Sequence, residues 1–173
     1  VTAVYDVPVG EVWSRESIAG LKKQVEDAGL GFDVIESIPV HEDIKLGKDT
    51  RDKYIANYCE NIRRVAEAGI KCICYNFMPV FDWTRTELDR VREDGYTVMA
   101  YNQDAIDKMD PEKMFDAIKD DMNGTVMPGW EPERMAKVKE LFDAYRDVDD
   151  EKLFANLKYF LERIMPVCNE YDI

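Results

Sequence analysis

The chain has 173 residues, of which 46% are hydrophobic and 11% aromatic, a composition typical of a folded globular protein. The formal net charge of -13 opposes binding to nucleic acid, and no apolar run approaches the roughly 20 residues that a membrane-spanning helix needs. These properties favour a soluble cytoplasmic enzyme over a protein that binds polyanions or membranes.

The first half of the chain repeats a pattern of strand, loop and helix. Ile18, Leu21 and Val25 share one face of a helix that starts near Ser14 and ends at Gly29. The predicted elements are a strand at 1–5, that helix, a strand at 32–38, a helix from about 50 to 69 and a strand at 71–77. Strands that alternate with helices of this length indicate parallel βαβ units.

Two further helical faces are clear from the spacing of apolar residues. The helix that starts near residue 50 has Thr50 as its predicted N-cap, and its predicted buried residues are Ile55, Tyr58, Ile62 and Val65. A helix from about 150 to 171 has the predicted buried stripe Leu153, Leu157, Phe160, Leu161, Ile164 and Val167. Another helix is predicted to start near Pro132.

Residues 86–130 interrupt the alternation of strands and helices. Asp110-Pro111 is a favourable helix start, and it is followed at helical spacing by Met114, Phe115, Ile118 and Met122. Asn123-Gly124 ends that segment. We interpret 86–130 as a helical insertion in the loop after the third strand.

The predicted fold class is α/β, with about three βα units. Three parallel strands leave open edges, whereas a closed (β/α)8 TIM barrel needs eight strands and about 250 residues. The pattern therefore predicts that residues 1–173 are a single partial barrel domain that contains the insertion. A complete small α/β domain is the alternative.

Each predicted strand runs into a Pro-Val step, and a carboxylate follows three residues after each proline. The prolines are Pro8, Pro39 and Pro79, and the carboxylates are Glu11, Glu42 and Asp82. Aromatic or imidazole groups lie beside them, namely Trp13, His41, Phe81 and Trp83. Because loops at the carboxyl ends of parallel strands build the active sites of such folds, these three loops predict one site. Strand termination and helix capping are the alternative explanation for any single loop.

Four residues in these loops are candidates for substrate binding. Asn76 places a polar amide at the end of the third strand, where an apolar residue is usual, and Trp83 offers an apolar wall. Arg85 has a guanidinium suited to grip a carboxylate, although a surface ion pair is the alternative. His41 is the only histidine, and Glu42 and Asp43 beside it favour its charged form. A plain surface histidine is an equal alternative.

The residues do not predict a metal site within this chain. Its cysteines are Cys59, Cys72, Cys74 and Cys168, which lack CxxC spacing, and there is a single histidine. They fit small buried thiols in a reducing compartment. The acids near Asp147 do not form an EF-hand, because Lys152 stands where that motif requires glycine.

Five segments resemble the D-mannonate dehydratase family. They are Val4–Trp13, Val34–Lys45, Cys74–Arg85, Met127–Pro132 and Asn156–Leu161, and the similarity covers essentially the whole chain. Motifs as long as Cys-Tyr-Asn-Phe-Met-Pro-Val-Phe-Asp-Trp-Thr-Arg are highly specific.

The resemblance implies a xylose-isomerase-like barrel that converts D-mannonate to 2-dehydro-3-deoxy-D-gluconate in hexuronate breakdown. It also implies a divalent metal, Mn²⁺ or Fe²⁺, whose ligands follow the later strands, the first in a His-Pro-Asp-Asp segment beyond Ile173. The family's first strand and helix would precede Val1. No residue of this chain is then a metal ligand, and the proton-transfer groups are expected elsewhere.

Two other functions remain open from the sequence. One is a related sugar isomerase or epimerase on the same barrel, which would conserve water rather than release it. The other is a non-catalytic α/β interaction domain that uses residues 86–130 for docking. The Met and aromatic residues of that insertion suit a subunit contact, so a homo-oligomer, with a dimer as the simplest case, is expected.

Overall fold

The computed structural model describes residues 2–80, 85–108 and 140–173. The chain divides into unit 1, made of Val1–Pro79 and Ala144–Ile173, and unit 2, Val80–Asp143. The named elements are α1 (Arg15–Asp27), β1 (Val34–Ile35), α2 (Glu42–Leu46), α3 (Arg51–Glu67), β2 (Cys72–Ile73), β3 (Glu87–Val91), β4 (Thr97–Ala100), α4 (Gln103–Asp107) and α5 (Asp150–Tyr171). Residues 140–145 are also helical, whereas the predicted start of that helix near Pro132 lies outside the described residues.

The strands of unit 1 are parallel, as predicted. Val34 pairs with Cys72 and Ile35 with Ile73, and Thr2 forms a parallel bridge to Ile35. The strands are shorter than the predicted 32–38 and 71–77. Beyond them single ladder bonds continue, from the Ile38 amide to the Cys74 carbonyl at 3.2 Å, from the Cys74 amide to the Ile35 carbonyl at 2.9 Å and from the Glu36 amide to the Thr2 carbonyl at 3.1 Å.

The helices α1 and α3 form where they were predicted, but only one of their two predicted N-cap side chains caps its helix. Ser14 caps α1, because its hydroxyl accepts a hydrogen bond from the Ser17 amide at 2.9 Å. Thr50 stands at the N-cap of α3, but its hydroxyl donates to Asp43 Oδ2 at 2.5 Å instead of capping the helix. The predicted buried face of α3 is confirmed for Ile55, Tyr58, Ile62 and Val65.

The long helix α5 completes the core of unit 1. Its N-cap is Asp149, and its buried residues Phe160, Ile164 and Val167 confirm the centre of the predicted stripe. Leu157 and Leu161 are partly buried against that core. Within the described ranges no helix combines the length and apolar character needed to cross a membrane.

Unit 2 differs from the helical insertion that was predicted. β3 and β4 form an antiparallel hairpin with an irregularity between Glu87 and Arg90, and the short helix α4 follows it. The turn contains Asp94-Gly95, and the Gly95 amide donates to the Arg92 carbonyl at 2.9 Å. The predicted helix that begins at Asp110-Pro111 lies outside the described residues. Residues 87–100 therefore form a hairpin that the prediction of an insertion with its own short helix did not include.

Candidate functional site

The first Pro-Val loop is held in place by polar side chains of α3. Asn57 Nδ2 donates to the Gly10 carbonyl at 2.8 Å. Asn61 Nδ2 donates to the Glu11 carbonyl at 3.1 Å, while its Oδ1 accepts from the Trp13 amide at 2.8 Å. These bonds satisfy backbone groups that the loop cannot satisfy itself. They leave the Glu11 side chain exposed.

Trp13 does not line a site, in contrast to its predicted place beside the loop carboxylates. Its side chain is only 2% exposed and belongs to the core of unit 1. The Arg64 guanidinium donates to its carbonyl at 2.7 Å. The ring is therefore an anchor that fixes the end of the first loop.

His41 joins the first and second loops. Its ring stacks on Tyr54 with 3.6 Å between centroids and 10° between planes. Gly10 lies against this pair with a φ of +88°, and a Cβ there would stand 2.8 Å from His41 Cδ2 and 2.7 Å from Tyr54 Cδ1. Only glycine fits this close approach, since it combines a left-handed backbone with the absence of a side chain.

The electrostatics of His41 differ from the expectation of a charged ring. Burial lowers the pKa of His41, and this effect outweighs the opposing carboxylates of Asp43 and Glu42, while Lys48 and Lys45 lower the pKa further. The ring also caps α2, because Nδ1 accepts from the Asp43 amide at 3.1 Å. In the neutral ring this leaves the proton on Nε2.

Glu42, the second loop carboxylate, lies in a hydrogen-bonded cluster. Lys45 Nζ donates to Glu42 Oε1 at 2.8 Å and to the Met78 carbonyl at 3.0 Å. The Tyr145 hydroxyl donates to Glu42 Oε2. Lys45 is only 3% exposed, so its ammonium depends on these partners for stabilisation. The cluster connects the second loop to Met78, just beyond the end of the predicted third strand.

Asn156, the first residue of the segment Asn156–Leu161, supports the short helix α2. Asn156 is buried on α5, and its Nδ2 donates to the Lys45 carbonyl at 2.8 Å near the C-terminus of α2. Gly47 ends α2 with a φ of +71°, and a Cβ there would lie 2.5 Å from Asn156 Oδ1. α5 therefore stabilises the short helix α2, whose N-cap is His41.

The four predicted substrate-binding residues do not all lie in the same unit. His41 and Asn76 are both partly buried in unit 1, Asn76 three residues after β2. Arg85 is exposed in unit 2, and Trp83 lies outside the described residues. In the described ranges no three His, Cys, Asp or Glu side chains come together in a way that could hold a metal ion.

Sequence reasoning missed the polar residues that support these loops. Asn57, Asn61 and Arg64 follow one another at helical spacing on α3, and all three bond to the first loop. That polar stripe, beside the apolar face of the same helix, was the available signal. Lys45 carried no such signal, because nothing in its local sequence marks it as buried.

Comparison with known proteins gives a consistent result over the whole chain. The family model described as D-mannonate dehydratase (UxuA) matches residues 1–173. Mannonate dehydratases from Brachyspira hyodysenteriae and Thermotoga maritima are 55% and 53% identical to this chain over 173 residues. Those matches cover all of this chain and 49% and 48% of the two relatives.

A solved structure agrees with this result. The crystal structure of mannonate dehydratase from Streptococcus suis serotype 2 is similar with a TM-score of 0.80 and 44% sequence identity, covering 99% of this chain and 43% of that one. The chain spans about half the length of the curated relatives it matches. The family match, the identities and the shared fold lead to one conclusion: the chain belongs to the mannonate dehydratase family.

Proposed function

We propose that this chain is part of a lyase that removes water from D-mannonate to give 2-dehydro-3-deoxy-D-gluconate in hexuronate catabolism. The observation that carries the proposal is the match of the D-mannonate dehydratase family model to all 173 residues. An isomerase, an epimerase and a purely structural interaction domain have no comparable support, since the relatives described above are mannonate dehydratases.

The proposed architecture is a portion of a (β/α)8 barrel of the xylose-isomerase type. Its support is the parallel pairing of Thr2, β1 and β2 with α1, α3 and α5 packed in one unit. In such barrels the loops after the strands form the substrate side. The Pro-Val loops that contain Gly10, His41 and Met78 are therefore the proposed substrate-facing edge.

The proposed reaction removes a proton from the carbon next to the carboxylate and a hydroxyl group from the adjacent carbon. The hydroxyl takes up a proton and leaves as water, and the resulting enol tautomerises to the 2-keto-3-deoxy acid. The proposed binding groups are the Arg85 guanidinium for the substrate carboxylate, with Trp83 beside it, and Asn76 and His41 Nε2 as hydrogen-bond donors to hydroxyl groups. None of these is assigned as the proton-abstracting base.

The divalent metal expected of such a lyase has no ligand set in the described part of this chain. His41 uses Nδ1 to cap α2, and the described carboxylates of Glu42 and Asp43 are engaged by Lys45 and by Thr50. No step of the proposed reaction therefore uses a metal held by these residues. The proposal is that Mn²⁺ or Fe²⁺ is bound by residues outside these 173.

The proposed location is the cytoplasm, and the proposed assembly is a homodimer. The support for a subunit contact is the set of large apolar side chains exposed on the hairpin of unit 2, namely Leu88, Val91, Tyr96 and Met99. Sedimentation of the complete gene product with and without substitutions at Tyr96 and Met99 tests the assembly, and a mass equal to one chain would reject it.

Product analysis tests the function. The complete polypeptide encoded by the gene should convert D-mannonate to a 2-keto-3-deoxy acid in the presence of Mn²⁺, whereas these 173 residues alone should not. Arg85→Ala should raise KM for D-mannonate by about 10- to 100-fold, because a charge-assisted pair is lost. Arg92→Ala in the exposed hairpin turn is the matched control. An unchanged KM in Arg85→Ala would reject the carboxylate-binding role.

A further inference from the structure

Two contacts in unit 1 occur at the two places where the chain leaves for unit 2 and returns from it. Met78 immediately precedes Pro79, the last residue of unit 1 before Val80, and Tyr145 follows Ala144, the first residue after the return. Lys45 donates to the Met78 carbonyl, and the Tyr145 hydroxyl donates to Glu42. One pair of residues on α2 therefore holds both connecting segments.

The pair is built differently from a surface ion pair. The side chains of Lys45 and Glu42 are 4% and 25% exposed, and Tyr145, which donates to Glu42, is half-buried. By contrast Lys23 and Asp27, which pair within α1, have side chains that are 73% and 63% exposed. Burial and the bond to Glu42 raise the pKa of Tyr145, so its hydroxyl remains protonated and able to donate.

The partners of the pair are also distant in sequence. The bond to Met78 spans 33 residues and the bond from Tyr145 spans 103. α2 is itself anchored from a third direction, because Asn156 of α5 donates to the Lys45 carbonyl. A five-residue helix would not be stable alone, so these long-range bonds define where it lies.

We propose that Glu42 and Lys45 are positioning residues that clamp two segments of unit 1 onto α2: the outgoing segment that ends at Pro79 and the returning segment that begins at Ala144. The outgoing segment contains Asn76, a proposed substrate-binding residue, two residues before Met78. Where the proposed dehydratase function holds, on which the kinetic part of this inference rests, the clamp holds the proposed hydrogen-bond donor Asn76 in position. A displacement of about 1 Å at such groups lowers catalysis by up to about 100-fold.

The test uses the complete gene product with two variants. Lys45→Met removes both donated bonds while keeping the length of the side chain, and Tyr145→Phe removes only the hydroxyl. Lys23→Met and Tyr101→Phe are matched controls, since both residues are exposed and each donates a hydrogen bond at the surface. Amide hydrogen exchange is measured for peptides that contain residues 74–80 and 144–149, together with kcat and KM for D-mannonate.

The clamp predicts faster exchange in both peptides for Lys45→Met and in the returning peptide for Tyr145→Phe. It also predicts a loss of about 10- to 100-fold in kcat/KM for Lys45→Met, with both controls unchanged. Should the wild-type protein fail to dehydrate D-mannonate, the proposed function is rejected and the exchange data alone decide the clamp. Exchange in the two peptides equal to that of the controls would overturn the clamp, with or without activity.

Discussion

The two units use their apolar residues in opposite ways. In unit 1, large side chains from the first loop, α3 and α5 meet in one core that contains Trp13, Ile62 and Phe160. In unit 2, the hairpin keeps Val91 69% exposed and Tyr96 73% exposed. An isolated two-stranded hairpin is only marginally stable in water. Similar residue types therefore determine stability in unit 1, whereas in the hairpin they are available for contacts.

The largest effect is expected in the core at Phe160, which is fully buried and packs edge-on against Tyr58 with 5.0 Å between ring centroids. Phe160→Ala should lower the free energy of unfolding by about 3–5 kcal/mol, because it removes buried surface and leaves a cavity. Phe154→Ala is the control on the same helix, since Phe154 is 70% exposed, and should change stability by less than about 0.5 kcal/mol. Denaturant unfolding measures both, and equal effects would contradict the assignment of the core.

A smaller effect is expected where polar groups support the first loop. Asn61→Ala should lower the free energy of unfolding by about 2 kcal/mol, because the Trp13 amide and the Glu11 carbonyl both lose their partner. Asn57→Ala loses one bond, to the Gly10 carbonyl, and should cost about 1 kcal/mol. The same unfolding assay ranks the two variants, and a reversed order would show that Asn61 is not the principal anchor.

The pH dependence of stability tests the prediction that burial lowers the pKa of His41. Burial lowers the pKa of His41 in the folded protein below the usual value of about 6.5. Between these two values the unfolded chain binds more protons, so stability is lost as the pH falls below about 6.5 and the loss ends below the folded pKa. His41→Asn keeps a cap acceptor and should remove this part of the pH dependence.

The measurement for His41 is direct, because it is the only histidine of the chain. Its ring signals, followed by NMR through the pH titration, give the folded pKa without overlap. A midpoint above about 6.5 would mean that the neighbouring carboxylates, and not burial, control the ring.

The long helices and the parallel strands could be predicted because their signals are local. Apolar spacing places α1, α3 and α5, and the serine at position 14 marks the first of these helices. The helix α2 could not be predicted in this way. It has five residues, and its position depends on Asn156 and Met78, which are remote in the sequence.

The supports of the candidate site could not be predicted from the sequence. The Pro-Val pattern predicts that the loops lie together, and His41 of the second loop does lie against Gly10 of the first, but the lowered pKa of His41 depends on burial that no neighbouring residue reveals. The hairpin of unit 2 did have a local signal, Asp94-Gly95 between two short segments. The apolar spacing of residues 114–122, which lie outside the described residues, predicted a helix for that later segment only.

The smallest effects are expected when one arginine in each unit is replaced by alanine. Arg64 donates to the Trp13 carbonyl and pairs with Glu60 at 2.8 Å, so Arg64→Ala should lower the free energy of unfolding by about 1 kcal/mol. Arg90 bonds to Glu87 at the surface of the hairpin, where solvent and salt screen the pair. Arg90→Ala should therefore leave the unfolding midpoint unchanged at both low and high salt. A clear loss of stability in Arg90→Ala would show that the hairpin ion pair is shielded from solvent, as the support of the first loop is, and would remove the contrast between the two units.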